Sequence, residues 1–308
     1  MKSIEITATV ESIEQAQALL ESGVDVLYFG EEQFALRLPT YFSREEQIEL
    51  VELARKYRKK VTVAVNGIMH PEKMRLIPEY LAFLEGLKVD QIAVGDTGVI
   101  FVLQRDGYQL PYIYDAQMLV TSSRQINFWA KRGANGAVLA REVPYLELKE
   151  MAGEIEVEGE ILVYGATCIH QSKRPLVDNY FAYTKAQDQT NKERGLFLAE
   201  PKKGDTHYSI YEDSHGTHIF ADNDLNLMME LGKLAELSYG RWKLEGIYTP
   251  GQTFVEIAKL FVEAKEALLA GNWTEQLALG LSAKVAELHP VGRGLDTGFF
   301  LMDPDEVK

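Results

Sequence analysis

Two short stretches concentrate the reactive side chains of this chain. Residues 159–181 read GEILVYGATCIHQSKRPLVDNYF. The stretch starts as an apolar strand, breaks at Gly165, and then presents Cys168, the only cysteine, followed by His170, Lys173 and Arg174. A thiol nucleophile needs a base and a lowered pKa, and basic neighbours favour the thiolate. Residues two apart need not face each other, however, and a solitary cysteine commonly packs as a small inert side chain. The second stretch holds His207, His215 and His218 with Glu212 and Asp213. His215-x-x-His218 has a ligand-like spacing, and a divalent metal is one chemistry it suits. No further ligand stands at a recognisable distance, so a polar surface hairpin explains these histidines more simply.

Such groups work only when distant parts of the chain bring them together. Short runs rich in Val, Ile and Leu alternate with amphipathic segments from the first residues onward. The strand-like runs are 4–10, 24–30, 60–66, 89–96, 111–119, 136–142, 160–165 and 241–247. Helix-like segments with Ser caps and Gly stops stand between most of them. Eight strand-then-helix units are the number that closes an α/β, TIM-like (β/α)8 barrel. A doubly wound open sheet is the alternative, but it usually has a glycine-rich first turn, and residues 7–11 contain no glycine. The sequence therefore predicts one domain over 1–308. Residues 167–221 are an insertion after strand 7, too long for an ordinary βα loop, that forms a lid containing two short strands. Residues 224–238 are expected to be helical, and 272–308 to be a closing tail.

Barrel sites lie at the C-terminal ends of the strands. Those ends supply Tyr28, Asn66, Asp96, Asp115, Gln117, Arg141, Glu142, Tyr164, Cys168, Lys243 and Glu245, and Arg37 follows the second strand. Leaving so many polar groups buried and unpaired costs roughly 1–3 kcal/mol each, so they predict a polar pocket. The catalytic candidates are Arg141 as an anion clamp, Glu142 or Glu245 as base, and Cys168. The substrate-binding candidates are Tyr28, Arg37, Asn66, Asp96, Gln117, Tyr164 and Lys243. Internal salt bridges, for example Arg141 with Glu245, are the competing use of the same residues.

Composition removes several function classes. The net charge of −14 argues against holding nucleic acid by bulk charge. The basic run 56–60 lies at a helix end, where a solvated C-terminus accounts for it. One cysteine excludes an internal disulfide framework and suits a reducing compartment. The first residues alternate and carry charge where a signal peptide has an apolar core, and no apolar run approaches membrane length, so a cytoplasmic protein without membrane contact is expected. No P-loop, GxSxG or HExxH motif is present.

Seven stretches together resemble a known family: LESGVDVLYFGEEQFALR (20–37), KKVTVAVNGIMH (59–70), VDQIAVGDTGVI (89–100), VLARE (138–142), EILVYGATC (160–168), KLEGIYTPGQTFVEIAKLF (243–261) and TGFF (297–300). In order and over nearly the whole chain they resemble the collagenase-like U-32 peptidase family. The resemblance implies a barrel domain. It also implies one of the family's activities, which include peptide hydrolysis, hydroxylation of the wobble uridine of tRNA and hydroxylation of a quinone precursor. Several members hold a 4Fe-4S cluster on four cysteines. Their signature resembles H-G-A-x-C with a second Cys seven residues on. Here Tyr164 takes the histidine position, Cys168 keeps the first cysteine and Pro175 replaces the second. The third, after an Arg-Gly pair, falls at Leu196 or Phe197, and the fourth falls at Asn226. No such cluster is expected from this chain alone.

Two functions follow from the resemblance. One is a peptidase-like, collagenase-like hydrolase cleaving peptides at the barrel mouth. The other, preferred here, is a cluster-free accessory subunit of wobble-uridine (5-hydroxyuridine) modification. It would be paired as a hetero-oligomer with a longer, cysteine-complete paralogue, which would hold the tRNA.

Overall fold

The computed structural model describes residues 3–116 and 120–307. Its strands are β1 (Glu5–Thr9), β2 (Val26–Phe29), β3 (Lys60–Val65), β4 (Gln91–Val94), β5 (Tyr112–Tyr114), β6 (Ala134–Val138), β7 (Glu158–Gly165), β8 (Cys168–Ser172), β9 (Phe197–Glu200), β10 (Lys203–Asp213), β11 (Gly216–Phe220), β12 (Asn223–Asn226), β13 (Arg241–Leu244) and β14 (Gly294–Asp296). The helices are α1 (Ile13–Glu21), α2 (Arg44–Lys56), α3 (Pro71–Met74), α4 (Ile77–Leu87), α5 (Thr97–Asp106), α6 (Ser123–Ala130), α7 (Tyr145–Ala152), α8 (Leu176–Thr184), α9 (Leu231–Glu236), α10 (Gly251–Leu269) and α11 (Glu275–Leu288).

Strands β1 to β7 pair in parallel, each with the next, and β13 pairs in parallel with both β1 and β7. This closes a cylinder of eight parallel strands with helices between them, as the alternation predicts. Local sequence starts those helices where it should. The Ser12 hydroxyl accepts from Gln15 N at 3.1 Å to open α1, and Ser43 with Glu46 forms a capping box on α2. The apolar faces of the helices meet the outer wall, where Leu19, Leu50, Leu81, Phe254, Phe261 and Trp242 are fully or almost fully buried.

Gly165 ends β7 with φ +111°. A Cβ there would lie 2.1 Å from the carbonyl oxygen of Glu245. Only glycine lets the ends of β7 and β13 approach this closely.

Residues 167–221 form more than two short strands. They make a four-stranded antiparallel sheet in the order β8-β11-β10-β9, with α8 alongside. The segment after it corrects a second expectation. Residues 223–226 are extended rather than helical, because β12 pairs antiparallel with the end of β7 and parallel with β14 of the tail. Buried Asp224 on β12 takes Arg293 of the tail at 2.5 Å, so helical structure begins only with a 3-10 turn over Met228–Glu230 that leads into α9. The closing tail carries the 14-residue helix α11, opened by the Thr274 hydroxyl, which accepts from Leu277 N at 3.2 Å. Among the described residues, no helix is long and apolar enough to cross a membrane.

Candidate functional site

The pore carries a ladder of polar groups. Near its floor the Thr7 hydroxyl donates to Glu160 Oε2 at 3.3 Å. Burial raises the Glu160 pKa against the pull of Lys243. The Lys243 ammonium lies 3.5 Å from the centre of the Tyr28 ring, a cation–π contact in a buried site. Asn66 Nδ2 donates to the Tyr28 hydroxyl at 3.2 Å and to Asp115 Oδ2 at 2.8 Å, and Leu36 N donates to Asn66 Oδ1 at 3.0 Å. Burial, and then the charges of Asp115, Glu160 and Glu245, push the Tyr28 hydroxyl far above its ordinary value and keep it protonated.

Glu245 follows β13 and is buried, and burial raises its pKa although Lys243 and Arg141 pull the other way. Burial, and then the neighbouring Arg37, lower the pKa of Arg141. Tyr28, Arg37, Asn66, Arg141, Lys243 and Glu245 line one narrow cleft of about 10 Å³. That is room for one water-sized guest. Above it opens a cavity of about 310 Å³ that shares Arg37 and Asn66 and adds Asp115, Cys168, Gln171 and Lys173. Cations surrounding a carboxyl of raised pKa can bind an anion and exchange a proton with it.

The inserted sheet closes one side of this cavity. Arg37, held at φ +51°, donates to Gln171 Oε1 at 2.6 Å. The Tyr41 hydroxyl donates to Asp213 Oδ2 at 3.1 Å, and Lys192 reaches the carbonyl of Pro39. His215 lies 2.6 Å, through Nε2, from the carbonyl of Glu32, and Lys73 Nζ approaches its ring at 3.3 Å. Burial lowers the His215 pKa to about 4.

Cys168 and His218 lie near each other on neighbouring strands. Cys168 pairs with Phe220, and His218 stands two residues before Phe220 on β11. His218 is fully buried, and Asp213 Oδ1 accepts from its Nε2 at 2.9 Å. Burial disfavours the charged imidazole, but Asp213 and the sulfur of Cys168 outweigh it and raise the His218 pKa. Burial likewise disfavours the Cys168 thiolate, yet His218, Arg37 and Arg141 outweigh it and lower the thiol's pKa. The thiol itself donates to the carbonyl of His170 at 3.3 Å, and His218 Nδ1 is buried without a hydrogen-bond partner. His218 and Cys168 act on each other's pKa first as hydrogen-bonding neighbours and only then through charge, while the thiol's own bond goes to the carbonyl of His170.

The structure therefore gathers Tyr28, Arg37, Asn66, Arg141, Cys168, Lys243 and Glu245 at one mouth, and places other candidates elsewhere. Asp96 is a helix cap: its oxygens accept from Gly98 N at 2.7 Å and Met69 N at 2.9 Å, which uses the side chain to start α5. Tyr164 faces the helix layer. The pairing of β7 with β13 shifts between Lys243 and Leu244, and the bulge turns Tyr164 outward. There its hydroxyl meets Thr249 at 3.1 Å and His289 Nδ1 at 2.8 Å. Glu142 lines neither the cleft nor the cavity, and its Oε2 is buried without a partner. Gln117 lies outside the described residues. His207 is exposed, with its ring tilted against that of Phe197 at a centroid distance of 4.4 Å. Sequence patterning missed Glu160, which sits at the start of its strand, and it did not pair His218 with Cys168.

One thiol is the whole soft-donor set here, with Pro175, Leu196 or Phe197, and Asn226 at the other cluster positions. Those donors do not fit a four-cysteine cluster. Among the described residues, no group of three or more His, Cys, Asp or Glu could hold a metal ion.

Comparison with known proteins supplies the context for this site. The model of peptidase family U32 matches residues 11–308. The chain is 34% identical over 315 residues to "tRNA hydroxylation protein P2" of Bacillus subtilis (strain 168), covering 98% of this chain and 99% of that one. It is 26% identical to "tRNA hydroxylation protein P1" of the same strain, over 80% of this chain and 59% of that longer one. A "Collagenase" of Porphyromonas gingivalis is 21% identical over 98% of this chain and 74% of its own length.

Proposed function

The chain belongs to peptidase family U32, and we propose that within it the protein is a cluster-free subunit of tRNA hydroxylation, supporting 5-hydroxyuridine formation at the wobble position. One observation carries this reading. The chain is collinear from end to end with a tRNA hydroxylation protein at 34% identity, whereas the collagenase relative stands at 21%. The partner we assign is a longer, cysteine-complete relative. The P1 protein has the matching relation, since this chain spans about three-fifths of its length. Such a partner supplies the soft donors that Pro175 and Asn226 cannot.

Charge is distributed consistently with this role. Residues 167–221 hold seven Lys or Arg and seven Asp or Glu, so the net charge of −14 lies wholly outside them. The inserted sheet and α8 also expose Tyr180, Tyr183 and Phe197. This face repels a phosphate backbone least and offers rings on which bases stack.

The test is genetic. In a strain lacking this gene, total tRNA digested to nucleosides should contain less 5-hydroxyuridine or its derivatives, and a tagged copy that restores it should co-purify with the longer relative. Unchanged hydroxyuridine in the deletion strain contradicts the proposal.

A further inference from the structure

A nucleophile, a base and a group that orients the base meet at the cavity wall, and nothing in the hydroxylation reading uses them. Cys168 offers the thiol, and the residue is buried in the wall of the cavity of about 310 Å³. His218 is the base. Its ring is fully buried, its Nε2 is tied to Asp213 at 2.9 Å, and its Nδ1 is left without a partner. Asp213 is the orienting group. It also accepts from the Tyr41 hydroxyl at 3.1 Å and from His215 N at 2.7 Å, so its carboxylate is fixed from three sides. A buried imidazole nitrogen without a partner carries a desolvation penalty that a structural histidine avoids. A nitrogen awaiting a proton from a neighbouring thiol accounts for that penalty.

We propose that Cys168 is a nucleophilic thiol, with His218 as its proton carrier and Asp213 as the positioning residue, and that it adds to small carbonyl compounds bearing a negative charge. The charge preference follows from the balance of the walls: Arg37 and Lys173 face one carboxylate, Asp115, in the cavity, and Arg141 and Lys243 face one, Glu245, in the cleft beneath it. In the addition the thiol proton moves to His218 Nδ1. The sulfur lone pair forms a C–S bond to the carbonyl carbon, and the carbonyl π pair moves to oxygen. The resulting alkoxide takes the proton back from His218. The product is a hemithioacetal, and neither an oxidant nor a reductant is consumed. The lowered pKa of Cys168 and the raised pKa of His218 have the directions this exchange needs.

The inference is independent of the tRNA reading, since its readout is the isolated folded protein. Cys168 is the sole cysteine, so alkylation reports on it alone. Iodoacetate and iodoacetamide serve as charged and neutral probes. The native protein should be alkylated once, at a rate at pH 6.5 at least tenfold above that of glutathione. Its iodoacetate-to-iodoacetamide rate ratio should exceed that of glutathione severalfold. Asp213→Asn and His218→Asn should each slow alkylation at least tenfold and move the pH–rate inflection upward towards that of a free thiol. Because His218 is buried, its variant is read only if circular dichroism shows a native fold, while Asp213→Asn and the two probes keep the test decisive. No reaction in the folded protein overturns the proposal, as does fast reaction insensitive to both variants. Fast reaction without anion preference overturns the substrate class.

Discussion

In the pore, Glu160 hangs from β7, Lys243 from β13, Glu245 from the residue after β13 and Arg141 from the loop after β6, held in place by a continuous ring of strand pairings. In the inserted sheet, Asp213, His215 and His218 sit on one hairpin between β10 and β11, with partners two and five residues away. The pore compensates buried charge with opposite charge brought from far along the chain, so its chemistry stands or falls with barrel closure. The hairpin makes its internal geometry locally and is met from the barrel side by Tyr41, Lys73 and the carbonyl of Glu32. This mouth therefore joins two construction methods, which respond differently to mutation and to pH.

The harshest break of that comparison is Gly165→Ala. A methyl 2.1 Å from the Glu245 carbonyl, on a backbone at φ +111°, forces the ends of β7 and β13 apart. Adding overpacking to backbone strain, the expected loss is about 5 kcal/mol or failure to fold. A denaturation midpoint near wild type would show that closure does not depend on this contact.

Lys243→Met comes next. It leaves Glu160 and Glu245 buried without their shared cation, at a cost of roughly 4 kcal/mol at pH 7. Both carboxyls already have raised pKa values from burial. A carboxyl whose folded pKa exceeds its unfolded one favours the folded state at low pH, and that benefit is lost as pH rises through the folded value. The defect of the variant should therefore shrink on going from pH 7 to pH 5 in paired urea titrations. A defect that grows on acidification would place the carboxylates outside the reach of Lys243.

The inserted sheet should show the opposite slope. Burial lowers His215 from 6.5 to about 4. Between those values the unfolded chain binds the extra proton, so the His215 contribution is complete above pH 6.5 and declines as pH falls towards 4. The decline amounts to roughly 3 kcal/mol. His215→Gln should flatten this part of the stability–pH curve, and an unchanged slope would assign it to other groups.

The mildest change is Asp96→Ala. Loss of the α5 cap should cost about 1 kcal/mol and leave the cavity chemistry untouched. A large loss of function without loss of stability would return Asp96 to the site.

The same contrast separates what the residue pattern announces from what it hides. The eight apolar runs and their polar C-terminal ends foretell the barrel and most of its mouth, because parallel strands buried on both faces leave a plain mark. Tyr164 could not be placed, since one bulge in the β7–β13 pairing turns it outward and no residue pattern announces that shift. Asp96 has the composition of a site residue and the role of a cap. Glu160 looks like a solvent charge flanking a strand, and only closure shows that it faces Thr7 and Lys243. His218 and Cys168 are 50 residues apart. Their meeting depends on the antiparallel pairing of β8 with β11, which sequence alone did not reveal.

The most direct measurement is the 5-hydroxyuridine content of tRNA from cells lacking this gene but keeping the longer U32 relative, compared with the same cells carrying a plasmid copy. A clear fall in the deletion strain and recovery with the plasmid are expected. Equal hydroxyuridine in both would contradict a part for this chain in tRNA hydroxylation.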